Sequence, residues 1–272
     1  MQRTGAIGAA MLLLWLCVRF FGAYLPGDAA LFGVQILAAL LPFLFLLPLS
    51  REERGEGTVA LSAPTKRAWA HFVLLPLFLL TVMLFSIIAA ALAKPLGFSS
   101  PAPEGPLPLL LLNYALAPAF AEEFFFRFLL LRLFLPHGKQ TAVWVTAILF
   151  ALVHINLAQF PYALAAGLFL GAVAASSGSF WLPFLFHLIN NTLSLLLSRS
   201  GGIFPLAVIG ALALTSALLL RSRSPLDRES PERTTAAAFL PDKTTGRNLG
   251  ALSASLLILP ALLCLVLTFL PF

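Results

Sequence analysis

Three charged residues stand inside one otherwise apolar stretch, Pro118-Ala-Phe-Ala-Glu-Glu-Phe-Phe-Phe-Arg127. Within a membrane each such residue costs roughly 2.5–3.5 kcal/mol near a helix centre, so Glu122, Glu123 and Arg127 must pair or line a wet cavity. Glu123 and Arg127 are four residues apart, on one helix face, at the spacing of an ion pair. Glu122 points about 100° away and keeps its carboxylate free. A free carboxylate can take a proton from water. Two further stretches repeat the spacing of four, Phe150-Ala-Leu-Val-His154 and His187-Leu-Ile-Asn-Asn191. Buried in lipid on separate helices these imidazoles and amides would be unsatisfied, so their helices must pack around one interior. Peptide hydrolysis needs a base, a held water and donors aimed at developing negative charge, all of which this set can supply. A metal offers a competing chemistry, because Glu122, His154 and His187 also form a two-His, one-Glu zinc set with Glu123 nearby.

The rest of the chain is what must position these groups. It is 60% hydrophobic and 10% charged, with 25 Phe and a mean hydropathy of +0.97. These values predict an all-α, polytopic transmembrane helix bundle of about eight to nine spans. Apolar runs of spanning length fall near 5–25, 29–48, 68–93, 107–135, 142–157, 161–176, 180–198, 203–220 and 250–270. The short pair 142–157 and 161–176 reads as a tight antiparallel hairpin. Gly167 and Gly171 in it mark close helix packing. Four regions follow: N-terminal helices and a Pro-rich loop over 1–106, a core over 107–220, a flexible polar loop over 221–249, and a last helix over 250–272.

Lys and Arg concentrate in 51–67 and 221–249, which makes both loops, and with them the N-terminus, cytoplasmic. The net charge of +6 then reflects topology and anionic lipid headgroups, with the bilayer and not nucleic acid as partner. Cys17 and Cys264 lie in apolar runs and suggest no disulfide. His71 and His137, at span ends, read as solvated, and Arg19 as a side chain snorkelling to the outer interface.

Taken in order, EExxxR at Glu122, Glu123 and Arg127, FxxxH at Phe150 and His154, and HxxxN at His187 and Asn191 resemble the CPBP family. That family holds the type II CAAX prenyl endopeptidases and the bacterial Abi or bacteriocin-processing proteins, regarded as intramembrane proteases. The resemblance covers about 118–198. It departs from the family at Phe128, where a glycine commonly follows the motif arginine. The resemblance implies endoproteolysis of a membrane-associated protein or peptide. Glu122 would activate water, His154 would position it, and His187 and Asn191 would polarise the scissile carbonyl. Glu123 belongs with this catalytic set, and Arg127 and Phe150 support it. No cofactor is required in the glutamate mechanism; zinc is the alternative.

A GC-rich, bacterial composition points to an inner-membrane protein and to sorting-tail or bacteriocin processing rather than prenyl substrates. The prenyl-protease likeness, in contrast, implies an active site open to the cytosol. Two rival readings are a proton-coupled transporter, for which the expected inverted repeat is not visible, and a silent scaffold or immunity protein of the same fold.

Overall fold

The computed structural model of the chain describes residues 2–22, 28–46, 59–96, 103–156, 158–200, 203–221, 235 and 237–238. Among them there is no strand, and eight principal helices carry the fold. These are α1 (Gln2–Gly22), α2 (Asp28–Leu40), α3 (Leu75–Ala93), α4 (Leu107–His137), α5 (Lys139–Leu152), α6 (Phe160–Ser177), α7 (Trp181–Arg199) and α8 (Ile203–Arg221). Five of them contain stretches long and apolar enough to cross a membrane, and three shorter apolar helices coincide with other expected spans. The expected span at 250–270 and nearly all of the polar loop lie outside the described residues.

The long rod α4 forms the axis. It is not a uniform α-helix: wide π turns occupy Leu111–Leu116 and Phe124–Leu131. The first lies just before Pro118, which has no N–H to give the carbonyl four residues back and whose ring crowds it. The second begins immediately after Glu123, and π turns of this kind often mark functional sites. Phe120, Phe124 and Phe128 form a stripe along α4, with ring centroids 6.0 and 5.1 Å apart. Phe180 and Phe184, at the start of α7, meet that stripe edge-on. Phe128, the departure from the family pattern, therefore packs against α7, and the Arg132 guanidinium lies 4.4 Å over its ring.

The α5–α6 hairpin is antiparallel as expected. A Cβ built on Gly167 would come within 3.0 Å of Ala147 Cα, and one built on Gly171 would face Val143 at 3.5 Å. Glycine at 167 is thus what lets the two backbones touch. Gly178 closes α6 in the left-handed region, φ 66°, a conformation that costs glycine nothing. A strap then crosses this turn. Ala60 N–H donates to Gly178 O at 2.9 Å, Phe180 N–H to Ala60 O at 3.1 Å, and Trp181 Nε1–H to Leu61 O at 2.7 Å.

Three further contacts show which ends of the helices lie together. Thr4 Oγ1 meets His137 Nε2 at 2.9 Å, Ser176 Oγ meets Thr235 Oγ1 at 3.1 Å, and Gln140 Nε2–H donates to Ala237 O at 3.0 Å. The N-terminus, the α4–α5 turn, the end of α6 and the chain after α8 therefore share one end of the bundle. That is the grouping the basic loops require. His71 departs from expectation: it is buried, with Nδ1 3.2 Å from Ala68 O. His137 is half-buried against α1 rather than solvated.

Close packing at Gly167 gives a differential test by thermal unfolding in detergent. Gly167→Ala must push Ala147 and its backbone away and should cost about 1–3 kcal/mol. Gly171→Ala makes only ordinary contacts and should melt within a few degrees of the wild type.

Candidate active site

The site is assembled from three helices around one buried ion pair. Glu123 and Arg127 are both wholly buried on α4, with Arg127 Nε 3.2 Å from Glu123 Oε2. The expected i, i+4 pair is therefore present. The pair is a charge contact without hydrogen-bond geometry: among the described residues Arg127 Nε, Nη1 and Nη2 and Glu123 Oε2 have no hydrogen-bond partner. The guanidinium lies instead 4.9 Å over the Phe150 ring and 6.0 Å over that of Phe126, an arrangement in which ring faces carry part of the charge.

Glu123 has a second partner that its position in the sequence does not suggest. Its Oε1 accepts from His187 Nδ1 at 2.9 Å, across to α7. A carboxylate in an ion pair can only accept, so Nδ1 carries a proton and Nε2 is the nitrogen that faces the cavity. Glu122 Oε2 stands 3.9 Å from that Nε2. The separation is too long for a direct hydrogen bond and suits one bridging water.

His154 is oriented by its own helix. Its Nδ1 lies 2.7 Å from Phe150 O, four residues back; a carbonyl only accepts, so this nitrogen also donates and Nε2 is again left free. Phe150 is thus more than packing. Its ring faces Arg127, its carbonyl holds His154, and it lies edge-on to His154 and His187 at 5.0 and 5.9 Å. The next residue, Ile155, has φ 49°, in the left-handed region. For a β-branched residue this conformation costs of order 1–3 kcal/mol and is characteristic of functional sites. The chain then recovers through Asn156, whose Oδ1 accepts from Ala158 N–H at 2.9 Å and Gln159 N–H at 3.2 Å ahead of α6. Asn156 is consequently a turn residue.

Glu122, Phe150, His154, His187, Asn190 and Asn191 line one cavity of about 450 Å³. Glu123 and Arg127 are the support behind it. Asn190 Nδ2–H donates to Asn191 Oδ1 at 3.3 Å, which orients the Asn191 amide. Among the described residues no three His, Cys, Asp or Glu side chains gather at metal-ligand spacing. Of the residues read as a zinc set, Glu122 Oε2 and His187 Nε2 stand 3.9 Å apart, and Glu123 is turned to Arg127 and to His187 Nδ1.

Sequence reasoning missed several lining residues. Arg19 and Gln35, from α1 and α2, reach the cavity, as do Tyr114, Tyr162 and Ser198. Gln35 and Arg19 stand out in the sequence as polar residues within apolar spans; Arg19, expected to snorkel to the outer interface, is half-buried in the cavity wall instead. The lining runs from Glu122 past Tyr114 to Pro103, and from His187 past Ser194 to Ser198. The cavity therefore leads to the end of the bundle opposite the N-terminus. A cytoplasmic N-terminus and a cytosolic opening cannot both hold.

With this geometry in place the comparison with known proteins is direct. Residues 104–193 match the type II CAAX prenyl endopeptidase Rce1-like family. The Rce1-like segment contains all three motifs and ends just past Asn191, so the resemblance read from the motifs is shown. It also supports the coarse reading of a membrane-embedded peptide hydrolase. Helices α1 to α3 lie outside the match. No curated protein and no solved structure matches the chain.

The buried pair and the strained residue each give a stability test. Arg127→Ala leaves the Glu123 carboxylate buried without its guanidinium and should cost about 3–5 kcal/mol in detergent unfolding. Ile155→Gly relieves the left-handed strain; it should therefore destabilise less than Val153→Gly, its neighbour in α-helical geometry, by about 1–3 kcal/mol.

Proposed function

We propose that the protein is an intramembrane endopeptidase that hydrolyses a peptide bond in a membrane-associated protein or peptide through a glutamate-activated water. The observation that carries this reading is the sequence of contacts from Arg127 to Glu123 to His187, ending 3.9 Å from Glu122 in a shared cavity. A water between Glu122 and the two imidazoles gives a proton to Glu122 while His154 Nε2 accepts its second hydrogen. The hydroxide adds to the scissile carbonyl carbon. The resulting oxyanion accepts from Asn191 Nδ2–H. Glu122 then passes its proton to the leaving nitrogen, and the C–N bond breaks. Glu123 acts through His187, which it holds in one tautomer. No cofactor enters this sequence.

The orientation proposed with it places the N-terminus in the cytoplasm of a bacterial inner membrane. The cavity then opens on the outer face, which suits a sorting tail or processed peptide better than a cytosolic prenyl substrate.

Glu122→Gln should abolish cleavage of a co-expressed membrane substrate while leaving the melting temperature nearly unchanged. Retained turnover would remove Glu122 as the base. Asn191→Ala should lower kcat on the order of 10²–10³ with little change in binding, the usual scale for an oxyanion donor. Chelation should leave turnover intact; stoichiometric zinc whose removal reversibly abolishes activity would overturn the cofactor-free mechanism. The opening is read from single cysteines at Tyr114 and Ser198 in a Cys17→Ala, Cys264→Ala background. Labelling by an impermeant thiol reagent from outside is expected, and labelling only from the cytoplasm would reverse the orientation.

A further inference from the structure

Among the described residues a single Lys or Arg side chain lines the catalytic cavity, and it comes from outside the family-matched segment. Arg19 sits in the last turn of α1, half-buried, and lines the cavity together with Glu122, His154 and His187. Its guanidinium lies 6.0 Å over the Trp15 ring. Trp15 is itself buried and stacks on Phe125 of α4 at 4.6 Å, with Phe126 edge-on at 5.8 Å. The cation is thereby referred to the same turn of α4 that carries the two glutamates. Among the described residues Arg19 has no acidic partner within ion-pair distance. A half-buried guanidinium with no acidic partner among the described residues, next to this cavity, is a ready donor site for a carboxylate.

A second observation comes from α2. Gln35 is buried, lines the same cavity, and uses Nε2–H on the Asn113 carbonyl at 3.1 Å. Its Oε1 is left without a donor. A buried amide oxygen is costly unless something donates to it, and rotation of the Gln35 amide toward the cavity that the residue lines would bring Oε1 to a peptide N–H. Arg19 also lines an adjoining apolar groove of about 490 Å³ with Trp15, Phe20, Val153 and Ile155. The cation therefore stands where the groove meets the catalytic cavity.

We propose that α1 and α2 form a substrate-recognition subsite in which Arg19 binds a carboxylate of the substrate, and Gln35 Oε1 accepts a backbone N–H beside it. The inference rests on the endopeptidase reading for the identity of the ligand as a peptide. Two sources of the carboxylate share this chemistry: the C-terminus of a chain cut near its end, and an Asp or Glu side chain close to the scissile bond.

The test uses the full chain in liposomes and three forms of one quenched-fluorescence apolar peptide pool: free C-terminal carboxylate, C-terminal amide, and amide with one Asp placed along the pool. Equilibrium binding is measured on Glu122→Gln protein, and cleavage on otherwise wild-type protein, each with Arg19, Arg19→Lys and Arg19→Ala. With Arg19 the preferred acidic form should bind about tenfold more tightly than the plain amide, the scale of one charge-assisted contact. Arg19→Lys should keep part of this preference and Arg19→Ala should reduce the ratio to about one. Preference for the free C-terminus identifies the terminal source, and preference for the Asp peptide the side-chain source. A ratio of one with Arg19 present, or an unchanged ratio in Arg19→Ala, overturns the subsite even if cleavage proceeds. An Arg19-dependent ratio without cleavage of any peptide leaves the subsite standing and removes the endopeptidase reading for these substrates. Absence of both binding and cleavage rejects the subsite.

Discussion

The buried Glu123–Arg127 pair is the constraint on which the rest of the structure depends. Two charges with no exposed surface lose their hydration, and such a pair holds only where geometry and further partners compensate. The compensation here comes from three directions. Phe150 and Phe126 present ring faces to the guanidinium, His187 donates to the second carboxylate oxygen, and α5 and α7 are drawn against α4 in consequence. The same contacts that satisfy the pair also aim the imidazole. Stability and site geometry are therefore not separable at Arg127.

Around this centre, local rules act with little help from distant residues. A spacing of four brings His154 Nδ1 onto the Phe150 carbonyl, and the ring of Phe150 onto Arg127. The wide turn after Glu123 adds a departure from α geometry at the point where the two glutamates must address one histidine. Strain at Ile155 sits next to His154, and Asn156 ends it by bonding the backbone ahead of α6. In a lipid setting, where solvent cannot satisfy a free backbone group, such a break is stable only because the turn supplies its own acceptors.

Helices outside the Rce1-like segment complete the cavity rather than surround it passively. Trp15 stacks on Phe125, and Gln35 reaches the backbone of α4 at Asn113. The cavity wall thus draws on α1 and α2 as well as on the matched segment that holds Glu122, His154 and His187. This division accords with a family match confined to residues 104–193.

Much of this was legible before any coordinates. Apolar run lengths predicted the helices, because a bilayer demands a fixed length of unbroken apolar chain. Spacing alone predicted the Glu123–Arg127 pair, because helical periodicity stacks residues four apart. The antiparallel hairpin followed from a connection too short for any other path. The sequence did not reveal that Glu123 also accepts from His187, 64 residues away, and so ties α4 to α7. Nor did it place Arg19 and Gln35 in the cavity, or turn the opening away from the N-terminal end. Those outcomes depend on helix rotation and on which helices become neighbours. Periodicity assigns a residue to a face of its own helix, but only packing between helices decides what that face meets.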